Sequence, residues 1–213
     1  MHFLSPILES YIANSSQDEP KLLQELTRET HLKVVQPRMI TGHFQGRVLG
    51  MLSKIISPKY ILEIGTYTGY SALCLAEGLQ KDGELHTIEV NEELHDMQRR
   101  YFDKSGFGPQ IKQHIGDALT IVPKLEQTFD LVFIDAQKVN YDAYFEAVIQ
   151  KTRPGGVILS DNVLWSGKVV EPLERSDKAT AALLEYNHKL KADPRVETVL
   201  LPIRDGLTLS RVL

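Results

Sequence analysis

The sequence predicts an α/β fold: a mostly parallel sheet with helices on both faces, preceded by a helical extension. Three observations predict it. From residue 58 onward, short apolar runs alternate with longer stretches of helical periodicity, the pattern of strands joined by crossover helices. Val132-Phe-Ile-Asp135 and Val157-Ile-Leu-Ser-Asp161 are apolar runs too short for helices, as expected of strands buried on both faces. Tyr60-Ile-Leu-Glu-Ile-Gly-Thr-Tyr-Thr-Gly-Tyr-Ser71 passes from an apolar run through a glycine loop into a helix, and Ile88-Glu89-Val90 follows one helix later. That order builds a nucleotide-type site at the carboxyl edge of a parallel sheet.

Residues 1–57 hold no comparable strand. Leu22, Leu23 and Leu26 recur at helical spacing, as do Val48, Leu49, Leu52, Ile55 and Ile56, so helices are expected here. Asp18-Glu19 and Pro20 suit a helix start, and Pro58 marks entry to the first strand. Strands are expected over 60–65, 84–90, 111–115, 129–135, 156–161, 196–201 and 207–212. Helical periodicity follows each of the first five. Pro154-Gly155-Gly156 reads as a turn before a strand. Pro202-Ile-Arg-Asp-Gly206 reads as a hairpin loop, which makes the final strand antiparallel.

The 213 residues fit one α/β domain, with 1–57 as the helical extension and 58–213 as the core. With 24 basic and 28 acidic residues the net charge is -4, so nucleic acid is not the expected partner, although a local basic patch is compatible with this balance. No run approaches the roughly 20 apolar residues of a membrane span. Met1-His-Phe-Leu-Ser-Pro6 lacks the charged and apolar regions of a secretory signal, and a cytoplasmic location is expected. The single cysteine, Cys74, lies between Leu73 and Leu75, where a packed, inert thiol is expected.

The loop does not by itself name its ligand. A dinucleotide site has the form G-x-G-x-x-G; here the spacing is Gly65-x-x-x-Gly69, and Tyr67 occupies the place of the second glycine. Tyrosine is a poor neighbour for a pyrophosphate. Glu63 adds negative charge, which suits the sulfonium and ammonium of S-adenosylmethionine better. Glycines at such a loop are expected to let the backbone approach a ligand where a Cβ would collide; the bland reading is a tight turn and nothing more. Glu89 is placed to accept from two ribose hydroxyls.

A second group carries the chemistry. Asp135 and Lys138 follow one strand, and Asp161 and Asn162 end the next. Ligands of open parallel sheets bind outside the carboxyl ends of strands, so these residues converge on the edge bearing Gly65 and Glu89. Their donors are all oxygen, which suits a hard cation, Mg²⁺ first with Mn²⁺ or Ca²⁺ beside it, rather than zinc. For either aspartate alone, a helix cap is the plainer reading. Lys138 is a candidate base; such an amine must be neutral, which a neighbouring cation or a partly dry site favours. Asp117-Ala118 is placed to meet an adenine, with a helix cap as the alternative for Asp117. His43, His86 and His114 show no metal spacing and are expected to be structural. Trp165 is expected in a pocket wall or in the core.

With both groups assembled, the chain resembles the metal-dependent O-methyltransferases that include catechol and caffeoyl-CoA O-methyltransferases. The resemblance runs from about Met39 to the C-terminus and rests on Leu62–Ser71, Thr87-Ile-Glu89, Gly116-Asp-Ala118, Phe133-Ile-Asp135, Lys138 and above all Ser160-Asp-Asn-Val-Leu-Trp-Ser-Gly167. Asp205-Gly206 is similar to the family's last loop. The resemblance implies a Rossmann-like methyltransferase fold with a seven-stranded sheet and a reversed last strand. It implies that Asp135, Asp161 and Asn162 bind a divalent metal and that Lys138 accepts a proton. It places Met39, Thr41, Glu63, Gly65, Tyr67, Ser71, Glu89, Asp117, Ala118 and Asp135 around S-adenosylmethionine. It further implies a phenolic, vicinal-oxygen small-molecule acceptor and a homodimer. The match weakens over residues 1–38, which shape the acceptor pocket in relatives. Arg38, His43 and Phe44 have no counterpart there, and Arg204 stands where small or acidic residues are common.

Other classes share parts of the pattern. A methyltransferase of a hydroxylated uridine in transfer RNA would use the same metal set, against which the acidic balance argues. An NAD-dependent oxidoreductase is disfavoured by Tyr67 and by the missing third glycine. A non-catalytic scaffold needs neither the oxygen ligands nor Lys138.

Overall fold

The computed structural model describes residues 5–213, so the reading of Met1–Leu4 lies outside it. Seven strands form one sheet: β1 (Tyr60–Ile64), β2 (Glu84–Glu89), β3 (Ile111–Ile115), β4 (Phe129–Ile134), β5 (Thr152–Asp161), β6 (Val196–Leu201) and β7 (Leu207–Val212). Their order is β3-β2-β1-β4-β5-β7-β6. β1 to β5 pair in parallel, and β7 runs antiparallel to both β5 and β6. This is the Rossmann-like methyltransferase arrangement. The chain winds outward from β1 to β3 and then restarts on the other side at β4, so the switch point lies between β1 and β4, where such sheets bind ligands.

Six strands fall within a residue of their expected limits. β5 departs: it starts at Thr152, and the pairing jumps from Phe129 opposite Thr152 to Leu131 opposite Val157. Pro154-Gly155-Gly156 is therefore an irregularity inside the strand, not a turn before it. Proline and a glycine at φ +76° leave the ladder locally, and the pairing closes again beyond them.

The helices are α1 (Pro6–Asn14), α2 (Lys21–Lys33), α3 (His43–Ile56), α4 (Tyr70–Ala76), α5 (His95–Ser105), α6 (Ala118–Ile121), α7 (Tyr141–Ile149) and α8 (Lys178–Ala192). Alternate strand residues serve opposite faces. Leu62, Val132 and Ile158 pack under α7 and α8 with Tyr141, Phe145 and Tyr186. Ile61, Leu131 and Leu159 pack under α2 to α5 with Leu26, Leu49 and Phe102. Both faces being covered, the strands read as continuous apolar runs.

In the extension, Leu23, Leu26 and Leu49 are buried, while Ile55 is 73% exposed and does not share their face. Pro20 is the residue just before α2 and supplies no side-chain cap. Glu29 anchors α2 to α5, accepting from Arg100 and from the Tyr101 hydroxyl; those bonds hold its carboxyl far below the usual range. Cys74 is fully buried, which pushes its thiol up to about 12. Among the described residues no helix is long and apolar enough to cross a membrane.

Candidate active site

The carboxyl ends of β1, β2, β4 and β5 open into one cavity of about 1880 Å³. Pockets for a single small ligand measure roughly 300–1,000 Å³, so this one has room for two.

The β1–α4 loop and Glu89 build one end. Tyr67 takes φ +49°, which turns its N–H onto Glu89 Oε2 at 2.7 Å. The N–H groups of Val90 and Asn91 meet Oε1, each at 2.9 Å. Three backbone donors thus fix the Glu89 carboxylate at the cavity edge before any ligand arrives. Asp117 caps α6, accepting from the N–H of Leu119, and also lines the cavity. Ala118, Met39 and Thr41 complete this wall.

The two glycines are required by the protein itself. Gly65 has φ +100°, and a Cβ there would stand 2.0 Å from the carbonyl oxygen of Asp135; Gly69 has φ +92°, and a Cβ would stand 2.6 Å from the Phe102 ring. Whatever ligand approaches, a Cβ at either position would already collide with the end of β4 or with α5.

Glu63 and Ser71 lie behind the wall rather than in it. Glu63 is fully buried. Its Oε2 accepts from the Thr87 hydroxyl at 2.5 Å, and its Oε1 has no partner. Burial pushes its carboxyl up to about 8, helped by the charges of Asp135 and Glu89. The negative charge expected to attract a cationic ligand is thus largely neutralised near pH 7.

At the other end, the Lys138 ammonium donates to Asp135 Oδ1 at 2.8 Å and to the Tyr141 hydroxyl at 2.6 Å. That hydroxyl in turn donates to the Asp161 carbonyl at 2.7 Å. Asp161 is 3% exposed. Its Oδ2 accepts from Gln45 at 2.6 Å, and its Oδ1 from the Asn162 N–H at 2.8 Å. Burial and the nearby Asp135 charge push the Asp161 carboxyl up. Neither aspartate caps a helix. Asn162 lines the same cavity from a left-handed backbone at φ +57°. Two carboxylates that repel each other and an amide, all oxygen donors, fit a hard cation. Among the described residues no three His, Cys, Asp or Glu side chains gather as a ligand cluster, so an ion here would also need the Asn162 amide and oxygens from water or acceptor.

The loop after β5 forms the outer wall. Trp165, Ser166 and Gly167 are all left-handed, and Asp205 pins them by accepting from the Ser166 N–H. Trp165 both lines the cavity and packs on the core. His43 also reaches the rim, while His86 and His114 stack on each other, their imidazoles pushed below the ordinary range by burial.

The O-methyltransferase family model matches residues 13–213. The chain belongs to this family. It is 37% identical over 220 residues to caffeoyl-CoA O-methyltransferase of Petroselinum crispum, covering 97% of this chain and 91% of that one. It is 36% identical over 217 residues to caffeoyl-CoA O-methyltransferase 1 of Arabidopsis thaliana, covering 96% and 83%. Its backbone is similar to that of the O-methyltransferase TomG from Streptomyces achromogenes, involved in tomaymycin synthesis and solved with S-adenosylmethionine (TM-score 0.89, 29% identity, 97% and 96% covered). It is equally similar to the O-methyltransferase from Bacillus cereus in complex with S-adenosylhomocysteine (0.90, 29%, 97% and 97%). The chain is an O-methyltransferase, similar to caffeoyl-CoA enzymes and to structures that hold S-adenosylmethionine or S-adenosylhomocysteine.

Two residues of this site went unread in the sequence. Tyr141 stands three places after Lys138, a spacing that brings side chains together on a helical turn, and this signal was available. Gln45 reaches Asp161 across 116 residues and carries no local mark.

Proposed function

We propose that this family member is a divalent-metal-dependent O-methyltransferase that methylates one hydroxyl of a catechol-like or other vicinal-oxygen acceptor. The observation that carries the reading is the Lys138 ammonium held between Asp135 and the strand end bearing Asp161. Asp135, Asp161 and Asn162 would hold the ion, Mg²⁺ before Ca²⁺ or Mn²⁺. When bound, a divalent ion supplies Lewis acidity that makes a neighbouring hydroxyl more acidic.

The protein's own residues do the rest. Glu89, already aligned by three N–H groups, accepts from the ribose hydroxyls of the donor. Asp117 and Ala118 take the adenine edge, and Met39, Thr41, Gly65, Tyr67 and Asp135 border the remainder. In the neutral form that a bound cation would favour, the Lys138 amine receives the acceptor's hydroxyl proton and becomes the ammonium, and the Tyr141 hydroxyl keeps that nitrogen in place. Trp165 and the loop around it exclude water and press the acceptor ring against the donor's methyl group. Such positioning is worth up to roughly 7–11 kcal/mol of barrier. Glu63 and Ser71 act from behind the wall by fixing the loop. We further propose one functional unit spanning the chain, with residues 1–57 closing the acceptor side, at work in the cytoplasm as a homodimer.

The test is turnover of a catechol with labelled methyl donor. EDTA is expected to stop it and Mg²⁺ to restore it. Asp161→Ala is expected to abolish turnover while calorimetry finds donor affinity within a few-fold of wild type. Full activity in EDTA, or equal loss of turnover and donor binding, refutes the reading.

A further inference from the structure

We infer that the acceptor bears a carboxylate on or near its ring and that Arg204 binds it; this rests on the acceptor reading above and deepens it. Arg204 sits in the turn between β6 and β7 and lines the cavity. Its backbone is left-handed at φ +49°, a conformation that glycine adopts freely and that is costly for a residue with a Cβ. Arg204 is exposed, and a long cation kept at such a position on the wall of a reaction cavity points to use of its side chain.

That side chain is poorly engaged. Nη1 donates to the Ile40 carbonyl and to Gln45 Oε1, both at 3.4 Å and both to neutral oxygens. Among the described residues Nε and Nη2 have no partner, and no carboxylate pairs with the guanidinium. The neighbouring acids are occupied: Asp205 by the Ser166 N–H, Asp161 by Gln45 and the Asn162 N–H. Arg38, exposed and also without an ion pair among the described residues, is a second cation in the lining of the same cavity. A planar fork of free N–H groups matches a carboxylate.

Gln45 sets the scale. Its Oε1 takes Arg204 and its Nε2 gives to Asp161, so the guanidinium stands one amide group from the carboxylate beside which the acceptor's oxygens react. An anion recognised there must lie close to the ring. This selects a compact dihydroxyaryl acid over a thioester whose phosphates lie at the far end of a long arm.

The test compares 3,4-dihydroxybenzoate, its methyl ester and caffeoyl-CoA as acceptors, with wild type, Arg204→Gln and Arg204→Gly. The expected result is a kcat/KM for the acid about 10- to 100-fold above that for the neutral ester, expressed mainly in KM and collapsing toward unity in both variants. Calorimetry on enzyme loaded with S-adenosylhomocysteine should show the same preference in binding, weakening with salt in wild type only. Preference for caffeoyl-CoA over the acid, or an acid preference that survives Arg204→Gln, overturns the inference. So does equal affinity for acid and ester. If the ester is methylated well and the acid no better, the inference falls and the proposed function stands. If no acceptor turns over, the proposed function falls and calorimetry still decides the inference.

Discussion

Glu63→Gln should stabilise the protein progressively as pH rises from 5 to 8, relative to wild type. Glu63 is fully buried with one oxygen unpartnered, and burial pushes its carboxyl from 4.5 to about 8. Between those values the folded protein keeps a proton that the unfolded chain has released. Stability therefore falls as pH rises through that window, by about 1.4 kcal/mol per pH unit, and levels off once the folded carboxyl has ionised. The full window amounts to roughly 5 kcal/mol. Glutamine has no proton to lose, so its stability lacks that slope. Exchanging the acid for an amide beside Thr87 adds a constant offset of about 1–3 kcal/mol, which does not depend on pH. Urea unfolding of both proteins without donor, at pH 5, 6, 7 and 8, isolates the effect, because all other titrating groups cancel in the difference. Parallel stability curves across that range would show that Glu63 titrates alike in both states, and the reasoning would fail.

Lys138→Met is expected to lower kcat by about 10²- to 10⁴-fold, the range for loss of a positioned base, with donor binding unchanged by calorimetry; wild-type turnover would remove the base assignment. Glu89→Gln should weaken S-adenosylmethionine binding by about 10- to 100-fold. Backbone N–H groups face both Glu89 oxygens, so an amide NH₂ confronts a donor in either orientation, and unaltered affinity would contradict the ribose role. Tyr141→Phe removes a hydroxyl that serves both Lys138 and the Asp161 carbonyl. It should cost about 1–3 kcal/mol in urea unfolding and reduce kcat, and a variant matching wild type in both would show that the Lys138 nitrogen needs no anchor.

The sheet was legible because both of its faces are buried: Ile61 and Leu62, or Leu131 and Val132, pack into opposite layers, so each strand appears as an unbroken apolar run. The residues at strand tips were legible for the same reason, since topology sends every tip to one edge. The irregularity in β5 was not, because Pro154-Gly155-Gly156 has the composition of a turn and only the pairing with β4 reveals a strand on both sides of it. Depth was not legible either. Glu63 and Glu89 both end apolar runs, yet one is sealed behind the loop and the other stands at the rim. Gln45 escaped because its partner is distant in sequence and a lone glutamine on an amphipathic helix looks like any surface residue.

The contact between Gly65 and the Asp135 carbonyl has a further implication. On the proposed function, the loop that would seat the donor and the end of β4 that leads to Lys138 touch through main chain, with no side chain between them. The spacing between the donor's seat and the proton acceptor is, on that same proposal, set in part by a main-chain packing contact. Arg38, His43, Phe44 and Arg204, which take no part in that contact, can on the proposed function change with the acceptor while the main-chain contact is kept.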